Sequence, residues 1–85
     1  MEIILQARAV DDLQYWKKSG NKKLQIRIQE LLQSIQKTPF EGIGKPEPLK
    51  YQLSGMWSRR INKEHRIIYE VRDATVHIYS LKDHY

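Results

Sequence analysis

Apolar positions along the chain change period twice, and the changes divide it into a helical part, a loop and a strand-rich part. Ile3, Ile4 and Leu5 form a continuous apolar run within Glu2–Gln6, the pattern of a short strand covered on both faces. A helix is predicted over Ala7–Ser19. Leu13 and Trp16, three apart, share its buried stripe. Asp11 and Asp12 lie near its start and Lys17 and Lys18 near its end, the charge order a helix dipole favours, although no N-cap is evident. Gly20 closes this helix and Asn21 caps a second, which runs to about Lys37. Leu24, Ile28, Leu31, Leu32 and Ile35 recur at i, i+4, i+7, i+8 and i+11 and make one apolar face. The short link implies an antiparallel helical hairpin, and Pro39 marks its end.

The segment from Thr38 to Tyr51 has no period and is rich in Gly and Pro. Loops of this length in a small domain are uncommon and are usually functional or disordered. At its centre Glu47 stands between Pro46 and Pro48. Each proline fixes its own φ and pushes the preceding residue out of the helical region, so the backbone through Glu47 is expected to be stiff and extended. On this segment alone, Glu47 reads more readily as a surface carboxylate in a rigid linker than as a functional group.

Beyond the loop the period becomes two. Leu53–Ile61, Arg66–Val71 and Thr75–Leu81 are predicted as strands, with a possible bend at Gly55 and turns at residues 62–65 and 72–74. The three form an antiparallel meander, which the N-terminal strand joins. The expected fold is α+β: two N-terminal antiparallel helices packed on one face of a twisted, mainly antiparallel four-stranded sheet, a single domain over residues 1–85. Alternation sets Trp57, Arg59 and Ile61 against Ser58 and Arg60. With Ile61 and Ile67 toward the helices, Arg60 and Arg66 share the open face. Two such guanidinium groups make a phosphate site, unless each is paired to Glu64, Glu70 or Glu47.

Fifteen Lys and Arg against ten Asp and Glu give a formal charge of +5, which attracts polyanions: nucleic acid, an anionic membrane or an acidic protein. The absence of cysteine excludes a disulfide framework and thiolate metal sites, and suits a reducing cytoplasm. The N-terminal apolar run is too short for a signal-peptide core or a membrane span. The chain stops just after its last strand with His84 and Tyr85, read either as a frayed end or as an imidazole and a phenol at the sheet rim. His65, in a turn, and His77, in mid-strand, compete with His84 but show no evident partner.

Glu47, Arg60, Arg66, His84 and Tyr85 are residue types suited to metal-independent RNA cleavage. A base takes the proton of a ribose 2′-hydroxyl, an acid protonates the departing 5′-oxygen, and fixed positive charge stabilises the transition state. From spacing alone this signal is weak, because Glu, Arg and His are common.

The run Thr38-Pro-Phe-Glu-Gly-Ile-Gly-Lys-Pro-Glu-Pro-Leu-Lys50 is followed by Leu53-Ser-Gly-Met-Trp-Ser-Arg-Arg-Ile61 and Glu64-His-Arg-Ile-Ile-Tyr69, and the chain ends in His84-Tyr85. Together these closely resemble the YoeB (Txe) family of bacterial toxins, within the RelE superfamily. The resemblance implies a RelE-like fold and endonucleolytic cleavage of messenger RNA in the ribosomal A site, with no cofactor or metal. It gives Glu47 as general base, His84 as general acid and Arg66 as the phosphate-stabilising arginine. Lys50, Arg60 and Tyr85 match further positions that hold or neutralise RNA. The implied partners are a YefM-like antitoxin, messenger RNA with the 70S ribosome, operator DNA only through the antitoxin complex, and a second copy in a homodimer, without a membrane. Two other readings stay open at this point: a gyrase-directed toxin of the same superfamily, and a non-catalytic RNA-binding module.

Overall fold

The computed structural model describes residues 1–83; His84 and Tyr85 lie outside the described residues. The chain forms β1 (Glu2–Leu5), α1 (Ala7–Ser19), α2 (Lys22–Lys37), β2 (Glu47–Pro48), a 3₁₀ turn (Tyr51–Leu53), β3 (Met56–Arg60), β4 (Arg66–Arg72) and β5 (Thr75–Ser80). One sheet has the order β1-β5-β4-β3-β2, with β1 parallel to β5 and the other pairs antiparallel.

Local chemistry explains the boundaries. No side chain caps α1, but Gly20 ends it in the left-handed region at φ 74°. The Asn21 side chain accepts a hydrogen bond from the Leu24 N–H at 3.1 Å and starts α2. Asp73 and Ala74 both have positive φ, 52° and 58°, the conformation a two-residue hairpin between twisted strands requires.

The helices and one sheet face enclose the core. Ala9 and Trp16 of α1 and Leu24, Ile28, Leu31 and Ile35 of α2 meet Ile67, Tyr69, Val76 and Ile78 of the sheet. Leu32, the remaining member of the predicted helical face, is only partly buried.

Three expectations need correction. The sheet has five strands rather than four, because Glu47–Pro48 pairs with β3 as an edge strand. An edge position suits this segment, since proline cannot donate to a ladder. The strand expected from Leu53 begins at Met56, because Tyr51–Leu53 closes a 3₁₀ turn in which the Leu53 N–H bonds the Lys50 carbonyl. Nor is β1 covered on both faces: it lies at a sheet edge and alternates, with Ile3 and Leu5 packed on the core and Ile4 40% exposed.

Tyr69 is fully buried between the sheet and the loop. Its hydroxyl accepts from Arg59 Nε at 3.2 Å and donates to the Pro39 carbonyl at 2.6 Å. Burial pushes the phenol above its ordinary 10.0 despite the neighbouring Arg59. The folded state therefore binds this proton more tightly than the unfolded state. The stability gained is complete below pH 10.0 and is lost as pH rises through the raised value. Tyr69→Phe should cost about 1–3 kcal/mol at neutral pH by leaving two buried groups unpaired. Thermal melting against pH should also show a shallower alkaline decline for Tyr69→Phe than for wild type.

Candidate active site on the open sheet face

Arg59 builds the site without belonging to its surface. Its side chain points from β3 toward the helices, is fully buried, and spends all five N–H donors. Besides the Tyr69 hydroxyl, Nη1 reaches Ser34 Oγ at 2.7 Å and the Ile43 carbonyl at 3.0 Å. Nη2 reaches the carbonyls of Thr38 at 2.6 Å and Glu41 at 2.9 Å. The loop after α2 is thus gathered around one guanidinium. Two glycines permit the approach. A Cβ on Gly42 (φ 125°) would lie 2.5 Å from Ser34 Oγ, and one on Gly44 (φ 82°) 2.5 Å from a Leu31 methyl. The Gly44 carbonyl then accepts the Arg60 N–H at 2.7 Å and aligns the chain for β2.

Register places the candidate groups on the face away from the helices. Glu47 pairs with Ser58, and Ser58 with Ile68. In the adjoining row Arg60 pairs with Arg66, as expected from alternation. Arg66 Nη1 donates to Ser58 Oγ at 3.5 Å, so one serine links the Glu47 row to the arginine row. Lys50 lies in the turn after β2 and shares with Glu47 and Tyr51 a shallow concavity of about 410 Å³. Register thus relates Glu47 to the Arg60–Arg66 pair, and the concavity relates Glu47 to Lys50. His84 and Tyr85 lie outside the described residues, so the expected rim position of these two has no counterpart here.

Two of the carboxylates named as alternative partners of the arginines, Glu47 and Glu70, contact other groups. Glu47 approaches Lys45 Nζ at 3.9 Å, an ion pair with both side chains substantially exposed. Glu70 accepts the Tyr79 hydroxyl at 2.7 Å and Arg72 Nε at 2.9 Å. The Tyr79 hydrogen bond first, and Arg72 beside it, hold the Glu70 carboxyl below its ordinary range. Among the described residues Arg60 has no ion pair, which leaves its exposed guanidinium available to an anion.

Both competing histidines have partners, contrary to expectation. His77 lies 3.3 Å from the Gln6 amide, and His65 accepts the Asp83 N–H at 2.8 Å. Three residues that bear on the site were missed as such. Arg59 was traceable as a lone cation alternating with Trp57 and Ile61, and Ser58 follows once β2 is placed opposite β3. Tyr51, 87% exposed beside Lys50, carried no signal in the sequence.

No helix among the described residues is long and apolar enough to cross a membrane, and no group of three His, Cys, Asp or Glu residues there is arranged to hold a metal ion. Two layers, a helical hairpin on a five-stranded sheet, are shared with solved bacterial toxins. A YoeB/ParE toxin from Agrobacterium tumefaciens superposes with a TM-score of 0.94 at 34% identity, all of each chain being covered. A YoeB-YefM complex from Staphylococcus aureus contains a chain that superposes at 0.88 with 46% identity, over 100% of this chain and 98% of that one. A YoeB dimer from the same organism gives the same score at 45% identity and the same coverage. In sequence, Toxin YoeB of Escherichia coli (strain K12) is 46% identical over the full length of both proteins. The YoeB-like toxin family of bacterial type II toxin-antitoxin systems matches residues 5–85, and the chain belongs to that family.

Since the Arg60 side chain supports no contact of the core, Arg60→Ala should leave stability within about 0.5 kcal/mol of wild type. Binding to a single-stranded RNA should weaken, and the slope of log K against log salt should fall by about one contact. Filter binding at several salt concentrations, with a parallel thermal melt, measures both.

Proposed function

We propose that this toxin is an endoribonuclease that cuts messenger RNA in the ribosomal A site and so inhibits translation. The observation that carries the reading is the register that sets Glu47, the buried Ser58, Arg60 and Arg66 on the sheet face away from the helices, with the carboxylate one cross-strand row from two guanidinium groups. Family membership supports it, as does a net charge of +5 on a chain that must approach phosphates.

In the proposed reaction Glu47 removes the 2′-hydroxyl proton, and the oxygen attacks the adjacent phosphorus. The bond from phosphorus to the 5′-oxygen breaks, and His84 protonates the leaving oxygen. The products are a 2′,3′-cyclic phosphate and a 5′-hydroxyl. Arg66 stabilises the charge that accumulates on the phosphoryl oxygens. Lys50, Arg60 and Tyr85 hold the RNA, the cations through phosphates and the phenol by stacking on a splayed base. The positive charge comes from side chains, so the scheme needs neither metal nor cofactor. The same reading takes a YefM-like antitoxin as inhibitor, operator DNA as a partner only through that complex, a homodimer as the free form, and the cytoplasm as the site of action. The S. aureus relatives solved with YefM and as a dimer support the protein partners.

Mapping 5′ ends on a defined messenger in a reconstituted bacterial translation system tests the reading. Wild type should create new ends within the A-site codon. Glu47→Ala should lose about 10²–10⁴-fold in cleavage rate while still sedimenting with ribosomes. Near-wild-type cleavage by Glu47→Ala would remove the carboxylate from the mechanism. If wild type made no new ends yet caused DNA damage in cells, a gyrase-directed toxin would replace the ribonuclease.

A further inference from the structure

Asp83 is held at both its N–H and its C=O. Its N–H donates to His65 Nδ1 at 2.8 Å, and its carbonyl accepts the Arg66 N–H at 3.1 Å. Its φ is 66°, a region that side-chain-bearing residues enter at a cost these two bonds help to offset. Because Nδ1 accepts a backbone N–H, its lone pair is free and the ring proton sits on Nε2.

The surroundings fix the ring and the tail together. The His65 ring meets Trp16 edge-on, with centroids 4.8 Å apart and planes at 77°. Trp16 Nε1 donates to the Leu81 carbonyl at 2.8 Å, and the Leu81 N–H donates to the buried Asp12 Oδ2 at 2.9 Å. Arg8 reaches the Lys82 carbonyl at 3.3 Å and the Asp83 carboxylate at 3.6 Å. His65 itself is set by its turn: Asn62 Oδ1 accepts the N–H groups of Glu64 and His65, each at 2.8 Å. The segment Leu81–Asp83 is therefore wired to α1 on one side and to the start of β4 on the other. It ends one hydrogen bond from the backbone of Arg66, and the next residue in the sequence is His84.

We propose that His65 is a positioning residue for the acid step of RNA cleavage. By holding the Asp83 amide against β4, it fixes the residue that precedes His84 in the sequence, hydrogen-bonded to the backbone of Arg66. This rests on the ribonuclease reading above. Only one transfer depends on it, the proton given to the departing 5′-oxygen. Attack by the 2′-oxygen and deprotonation at Glu47 do not.

That separation supplies the test. Single-turnover cleavage is measured on ribosomes programmed with a messenger carrying either the ordinary linkage or a sulfur in place of the scissile 5′-oxygen. A thiolate leaves without protonation. His65→Phe keeps an aromatic ring against Trp16 and loses the acceptor. It should cleave the oxygen substrate at least about 10-fold more slowly, within the range of a general acid, with KM little changed. It should cleave the sulfur substrate at the wild-type rate. His84→Ala should show the same pattern, and His65→Asn, whose Oδ1 can take the place of Nδ1, should recover most of the loss. His65→Ala gives the same comparison if the larger ring prevents folding. Because an unfolded fraction lowers both rates equally, the oxygen-to-sulfur ratio reports positioning alone. Equal losses on both substrates, or no loss on either, would overturn the proposal while leaving the ribonuclease in place. Wild type cutting neither substrate would overturn the ribonuclease reading, and this proposal with it.

Discussion

A buried guanidinium without a carboxylate partner organises this protein. Isolated charges are expensive to bury, and an ion pair is a common remedy. Arg59 instead gives its five N–H donors to two hydroxyls and three carbonyls. The acceptors come from α2, from the loop after it and from β4. Elements far apart in sequence are thus fixed to one planar group whose directions are rigid. Lysine could supply only three donors, from a single point. The loop is held by its own main-chain carbonyls, so its side chains remain free to vary or to act.

The same strand that buries Arg59 presents the site. Along β3, Trp57 and Arg59 face inward and Ser58 and Arg60 outward. A register slip by one residue would exchange the two sets, burying Arg60 and exposing the clamp. The clamp itself opposes that slip, because Arg59 has all its acceptors only when its side chain faces the loop. Stability and site geometry therefore depend on one alternation. Glu47 depends on it at one remove, through the Gly44 carbonyl that receives the Arg60 N–H and the pairing of β2 with Ser58.

The helices were legible because their signals are local. Five apolar positions at helical spacing, a glycine able to adopt positive φ and an asparagine cap suffice without knowledge of the rest of the chain. The faces of β3 and β4 were legible for the same reason, which is why the Arg60–Arg66 pair could be anticipated. The fifth strand was not, since a two-residue Glu-Pro segment carries no period and pairs only because β3 is present. Arg59 was set on the inner face by alternation but given no role, because what a charged residue does there depends on the carbonyls that surround it. His65 lacked a visible partner because its acceptor role depends on a backbone amide 18 residues away. Register sets Glu47 one row from the Arg60–Arg66 pair, but the roles of Glu47, Lys50, Arg60 and Arg66 could be read only through the family resemblance, not from spacing.

Two of the groups proposed for chemistry, Glu47 and His84, come from an edge segment and from the residues that follow β5 in the sequence. The fold handles the two by the same means. Glu47 follows a loop gathered on a buried arginine, and the residue before His84 is gathered on a buried tryptophan and its histidine neighbour. In both cases side chains packed against the core bind main-chain groups of the irregular segment, which directs its backbone. The resulting site lies on an open sheet face rather than in a deep cleft. Such a surface does little to exclude water or to orient a free oligonucleotide, and those tasks fall to whatever presents the RNA. A ribosomal A site would supply them, so the shallow geometry suits the ribosome-bound substrate of the proposed reaction.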